Sequence, residues 1–222
     1  MKGPDKSDPF LEERVVKYDQ WLNSGKIDFS SKVIPINESI EAEQWVLPTE
    51  QALEILRKAR TVALTNCACR THYRRCDKPV EVCLTLNETG EKEIAQGLAR
   101  PITLSEAAKV LRKANENGLV HLTLYMPDHE VFALCNCCAC CCHDLQILKQ
   151  YGRRDLTVRS EYLAVTDEEA CIHCGQCVAR CVFEARKHEN DQMIFDPDAC
   201  FGCGLCVTTC SANAIKMKPR IA

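Results

Sequence analysis

Long hydrophobic runs are missing from this sequence. The longest, Val131 to Cys142, is interrupted by Asn136 and falls short of the roughly 20 residues that a membrane-spanning helix needs, so no membrane span is expected. Aromatics are scarce at 6%, and positive charge is not in excess: 28 Lys and Arg against 31 Asp and Glu leave a net charge of -3. That balance argues against nucleic acid as a partner. The opening MKGPDKSDPFLEER has no apolar core and does not read as a signal peptide. Neither a G-x-G-x-x-G fingerprint nor a P-loop occurs, so nicotinamide and ATP sites are not indicated.

What the sequence has in excess is cysteine. Its 18 cysteines fall in three patches, Cys67 to Cys83, Cys135 to Cys142 and Cys171 to Cys210. Such a load means a disulfide framework or metal chemistry. Neighbours such as Cys137-Cys138 and Cys140-Cys141-Cys142 compete for partners, and a bridge between adjacent residues is strained. With no secretory leader expected, metal ligation in a reducing cytoplasm is the better reading.

Residues 1–47 mix charge with Ser, Pro and Asn and show little periodicity beyond a short helix over Phe10 to Trp21; they read as an N-terminal arm that wraps another surface. Residues 48–165 read as a Cys-rich metal-binding α+β domain. Pro48-Thr49-Glu50-Gln51 opens a helix with Thr49 as N-cap, and Thr103-Leu104-Ser105-Glu106 opens another, with Ser105 as cap and Gly118 as stop. Leu119 to Tyr125 and Val131 to Leu134, on either side of Met126-Pro127-Asp128-His129-Glu130, predict a hairpin. This helix-hairpin order resembles a winged helix. Cys142 to Tyr151 predicts a further helix. Residues 166–222 read as a last domain built from an internal repeat, in which CIHCGQCVARCVFEA from Cys171 aligns with CFGCGLCVTTCSANA from Cys200. The expected fold class is α+β.

Cys171, Cys174, Cys177 and Cys181 are spaced C-x2-C-x2-C-x3-C, and Cys200, Cys203, Cys206 and Cys210 repeat the spacing. Three close cysteines let a turning backbone wrap a cubane, and Gly175, Gly202 and Gly204 permit the approach. The fourth thiolate is expected at a helix start, where the dipole favours its charge. Zinc needs two CxxC knuckles and has no use for a third equally spaced cysteine. Residues 166–217 resemble the bacterial-type dicluster ferredoxins, which carry two 4Fe-4S clusters. The resemblance implies a pseudo-twofold α+β sandwich with fast electron hopping between clusters. It also implies crossed ligation: cluster I takes Cys171, Cys174, Cys177 and Cys210, and cluster II takes Cys200, Cys203, Cys206 and Cys181. The family usually has proline after the fourth cysteine; here Val182 and Ser211 stand there.

Ten cysteines remain: Cys67, Cys69, Cys76 and Cys83, then Cys135, Cys137, Cys138, Cys140, Cys141 and Cys142 in the string CNCCACCCH. Thiolates crowded this tightly repel unless a soft metal sits among them. The predicted helix and hairpin let the chain fold back and bring the two patches to one centre. From NCACRTHYRRCDKPVEVCLTL to NGLVHLTLYMPDHEVFALCNCCACCCHDLQ the sequence is similar to a widespread group of uncharacterised 4Fe-4S binding proteins of anaerobic microbes with the same dicluster tail. The resemblance implies an additional Fe-S site. The thiolate preference of such sites makes a further 4Fe-4S cluster, sharing ligands between the patches, the expected occupant; zinc is the alternative. Arg70, Arg74, Arg75 and Lys78 form either a solvated basic surface or a cationic setting that stabilises a reduced cluster. His72 and His143 are non-cysteine ligand candidates set against a surface or supporting role, and His173 is expected to tune a cluster rather than ligate it.

The leading reading is an electron carrier, or the iron-sulfur subunit of an oxidoreductase, that exchanges electrons with redox protein partners, in a homo- or hetero-oligomer or alone. No catalytic residue is singled out. One alternative is a redox enzyme whose upstream cluster has an open iron site. Another is an Fe-S redox sensor that binds DNA through the helix-hairpin region; there Lys109, Arg112 and Lys113 are balanced by Glu106 and Glu116, leaving no strongly basic face.

Overall fold

The computed structural model describes residues 8–35, 48–127 and 130–220. The first helix, α1 (Pro9–Asn23), has Asp8 as its N-cap, whose side chain accepts from the Phe10 amide at 3.1 Å. It buries Leu11 and Tyr18 against Ile147 and Leu156. Strand β1 (Ser31–Ile34) then enters a large sheet, so the described part of residues 1–47 wraps onto the chain's own body. There follow α2 (Pro48–Lys58), β2 (Val62–Asn66), α3 (Ala68–Tyr73), β3 (Glu81–Leu86), α4 (Asn87–Ala95), β4 (Ala99–Pro101) and α5 (Leu104–Glu116). The proposed N-cap Thr49 lies outside the residues whose side chains are described.

Helix α5 is amphipathic, with Ala107, Leu111 and Ala114 buried on one face. Its cap is Thr103 and not Ser105. Thr103 Oγ1 accepts from the Glu106 amide at 3.2 Å while Glu106 Oε2 accepts from the Thr103 amide at 2.9 Å, a reciprocal box that needs the T-x-x-E spacing. Gly118 ends the helix at φ 65°. The hairpin forms as β5 (Val120–Tyr125) and β6 (Val131–Cys137), its turn residues Asp128 and His129 lying outside the described residues. It does not project as a wing. The sheet runs β4-β2-β3-β6-β5-β1-β7, so β5 and β6 are hydrogen-bonded on their outer edges by β1 and β3. All pairings are antiparallel except that of β1 with β7 (Thr157–Val158). Between β6 and β7, α6 (His143–Tyr151) starts at Cys142 and stops at Gly152 in the left-handed region.

The C-terminal region contains β8 (Tyr162–Thr166), α7 (Gln176–Arg180), β9 (Arg186–Glu189), β10 (Gln192–Phe195) and β11 (Ile215–Pro219). The outer strands β8 and β11 pair antiparallel, and β9 pairs with β10. This region shares a core with the large sheet: Phe201, Cys203 and Leu205 pack with Val33, Val120, Leu122, Leu145 and Leu148.

Candidate metal centres

The eight C-terminal cysteines line two separate cavities. Cys171, Cys174, Cys177 and Cys210 line one of about 360 Å3, and Cys181, Cys200, Cys203 and Cys206 line another of about 310 Å3, both volumes counting space open to solvent. In each, one sulfur comes from the other run. Cys181 lies at the C-terminal end of α7 and not at a helix start, because the three residues between the third and fourth cysteines complete that helix ahead of it. The backbone turns at glycine. Gly202 has φ 70°, and a Cβ there would lie 2.1 Å from the Tyr162 carbonyl oxygen. The first cavity is near the surface, with Cys174 exposed and Ile172 65% exposed, whereas Cys200, Cys203 and Cys206 of the second are buried.

The upstream cysteines assemble from both patches into two sets. Leu84 pairs with Leu134, which sets Cys83 of β3 opposite Cys135 of β6, and Cys137 shares a face with Cys135 because side chains alternate along a strand. Cys67 precedes α3, Cys69 lies in it, and Cys142 caps α6. These six interact in a closed ring, Cys67 to Cys69 to Cys142 to Cys137 to Cys135 to Cys83 and back to Cys67. The close neighbours couple the titrations of the six thiols, and burial acts to raise each of them. Thiolates packed this closely repel one another, and full deprotonation of the ring needs a cation. Cys137 and Cys142 lie in the same core as Cys203 of the second cavity.

The other four, Cys76, Cys138, Cys140 and Cys141, bring their sulfurs within 4.8 Å of one another. Cys76 comes from the loop after α3, and the rest from the tight turn between β6 and α6, where the Cys141 and Cys142 amides donate to the Cys138 carbonyl.

The basic residues divide by position. Arg70 is only 2% exposed. Its Nη1 and Nη2 each donate to the Asn136 carbonyl at 3.0 Å, and Nη1 lies 3.5 Å from Cys138 Sγ. Burial opposes its charge, but Cys138, Cys67 and Cys83 outweigh that, so Arg70 serves both thiol sets and its pKa is raised. Arg75 donates to the Cys140 carbonyl at 3.3 Å and Lys78 to the Asn117 carbonyl at 2.8 Å, while the Arg74 side chain donates to the Thr71 carbonyl on its own helix. His72 stacks on Phe10. His143 Nδ1 lies 3.4 Å from Cys69 Sγ, a supporting position, and Nδ1 of His173 accepts from the Met193 amide at 3.0 Å.

Sequence reasoning missed Arg186. It is 2% exposed, lines both C-terminal cavities and interacts with Cys177 and Cys206. No pattern in the strand marked it, since Lys187, His188 and Glu189 after it are polar and exposed, and the repeat hid it because the corresponding position in the second copy is Ile215.

Residues 193–216 match the family described as 4Fe-4S binding domain, so the C-terminal region carries a ferredoxin-type iron-sulfur domain. No match was found among curated proteins. No helix among the described residues is long and apolar enough to cross a membrane.

Proposed function

We propose that this chain is an iron-sulfur electron-transfer protein with two 4Fe-4S clusters in a dicluster domain spanning residues 166–222 and a further cluster in the Cys-rich region of residues 48–165. The observation that carries this reading is the division of the eight C-terminal cysteines between two cavities, with Cys181 and Cys210 exchanged. That exchange is what crossed dicluster ligation requires. Each four-thiolate set would hold one cluster, which supplies one-electron redox chemistry. Cluster I has the exposed cysteine, and its loop is the natural contact for a redox protein partner. Cluster II adjoins the core that also holds Cys137 and Cys142, so electrons have a packed route from the surface to the six-thiol ring. Free thiolates in this number suit a reducing compartment such as the cytoplasm.

The test is iron and sulfide analysis of anaerobically purified protein, with EPR after dithionite reduction. About twelve or more irons per chain are expected. About eight would remove the upstream cluster, and fewer than eight would overturn the dicluster reading.

A further inference from the structure

The four-sulfur set and the six-sulfur ring are built for different occupants. Four thiolates around one zinc ion at about 2.3 Å form a tetrahedron with edges of about 3.8 Å. Cys76 and Cys138 have their sulfurs 3.8 Å apart, as do Cys140 and Cys141, and all four fall within 4.8 Å. A cubane binds each thiolate through a different iron and so spreads its ligands wider. The chain carries its own comparison: neither C-terminal set draws together in this way, and both open onto cavities. Among the described residues no other three metal-ligating side chains come this close.

The surroundings fit the same occupant. A zinc ion with four thiolates carries a net charge of -2 and accepts hydrogen bonds at sulfur. Arg75 Nη1 donates to the Cys140 carbonyl at 3.3 Å, which places its charge beside the set. Arg70 Nη1 adds its charge beside Cys138. Four protein ligands leave no open position, which is the mark of a structural and not a catalytic ion.

We infer that Cys76, Cys138, Cys140 and Cys141 form a mononuclear zinc site, distinct from the iron-sulfur centres. Its place in the chain gives it a task. Cys138 follows Cys137, and Cys141 precedes Cys142, so successive residues send their sulfurs to different sites. A redox-inert ion here fixes the β6–α6 turn and pins it to the loop after α3, which holds Cys135, Cys137 and Cys142 against Cys67, Cys69 and Cys83.

The test is zinc and iron analysis, with zinc-edge X-ray absorption, on the full chain purified anaerobically and treated with excess ferrous iron and sulfide. One zinc per chain is expected, bound by four sulfurs at about 2.3 Å. Cys140→Ser, at a half-exposed ligand, should lower zinc several-fold and, by loosening the turn, lower the upstream iron with it, while about eight irons stay in the C-terminal region. A zinc-free wild-type protein, zinc displaced by the added iron, or a folded Cys140→Ser that keeps its full zinc would overturn the assignment. If Cys140→Ser does not fold, the wild-type absorption spectrum decides, because an ion with nitrogen or oxygen ligands is not this site. Failure of the upstream cluster is read separately: iron near eight per chain with one four-sulfur zinc leaves the zinc site standing.

Discussion

Arg186 and His121 are buried side chains whose chemistry reaches beyond their own contacts. The Arg186 guanidinium donates to Thr166 Oγ1 at 2.6 Å and to the Ala164 carbonyl at 2.7 Å, which holds a fixed positive charge between the two C-terminal cavities. Burial raises Cys206 to about 11 and Arg186 opposes that rise. The same charge favours the more negative, reduced state of a cluster. On the proposed dicluster reading, Arg186→Met should therefore lower both reduction potentials, on the order of 100 mV at an effective dielectric near 20. An EPR-monitored redox titration checks this; potentials that do not move would remove Arg186 from the tuning of either cluster. His121 donates from Nδ1 to Asn136 Oδ1, and burial pushes its pKa from 6.5 down to about 4. Between these values the unfolded chain binds a proton that the folded chain refuses, so stability falls as pH falls through this window. The loss between pH 7 and pH 5 is about 2 kcal/mol from this residue. Denaturant titrations should show that slope, and His121→Gln should flatten it; an unchanged slope in the variant would assign the pH dependence to other groups.

At the scale of elements, what could be read from the sequence was local. The C-x2-C-x2-C-x3-C runs, the stop at Gly118 and the β5–β6 hairpin are each set by residues a few positions apart, and each appears in the structure. The cap of α5 was misplaced by two residues because Ser105 and Thr103 both have the chemistry, and only the Glu106 partner distinguishes them. Strands β1, β2 and β3 were not legible. They are short, and β2 and β3 adjoin cysteines that were read as ligands alone, although Cys83 is at once a ligand candidate and part of a buried strand. The partition of ten cysteines into six and four depends on β3 meeting β6 across a long sequence separation, and no spacing rule encodes it. Thr103→Ala tests the local part. It should cost about 1 kcal/mol by removing a cap hydrogen bond. Thr103→Ser should restore most of it, and Ser105→Ala should cost much less. Thermal unfolding of the three variants measures the ranking, and an equal loss at Ser105 would contradict the cap assignment.

At the scale of the whole molecule, the question is whether the iron-sulfur domain is a unit appended to the sheet or part of one folding body. Phe201 answers it in the structure. It sits between Cys200 and Cys203 in the loop around the second cavity and is 2% exposed. It stacks on Phe183 with ring centroids 4.5 Å apart, and it packs with residues of β1, β5 and α6. Arg180 ties the domain to the end of α5 through the Asn115 and Glu116 carbonyls. A core shared in this way couples the stabilities of the two regions, since unfolding either exposes apolar surface on both. Phe201→Ala removes a buried aromatic and should cost roughly 3–5 kcal/mol. The coupling predicts that anaerobic calorimetry of the wild type gives one transition and that Phe201→Ala moves all of it to lower temperature. Phe201→Leu, which keeps most of the buried volume, should recover more than half of the shift. Two wild-type transitions, of which the variant lowers only one, would mean that the ferredoxin-type domain folds on its own and that the core shared around Phe201 does not couple the two regions.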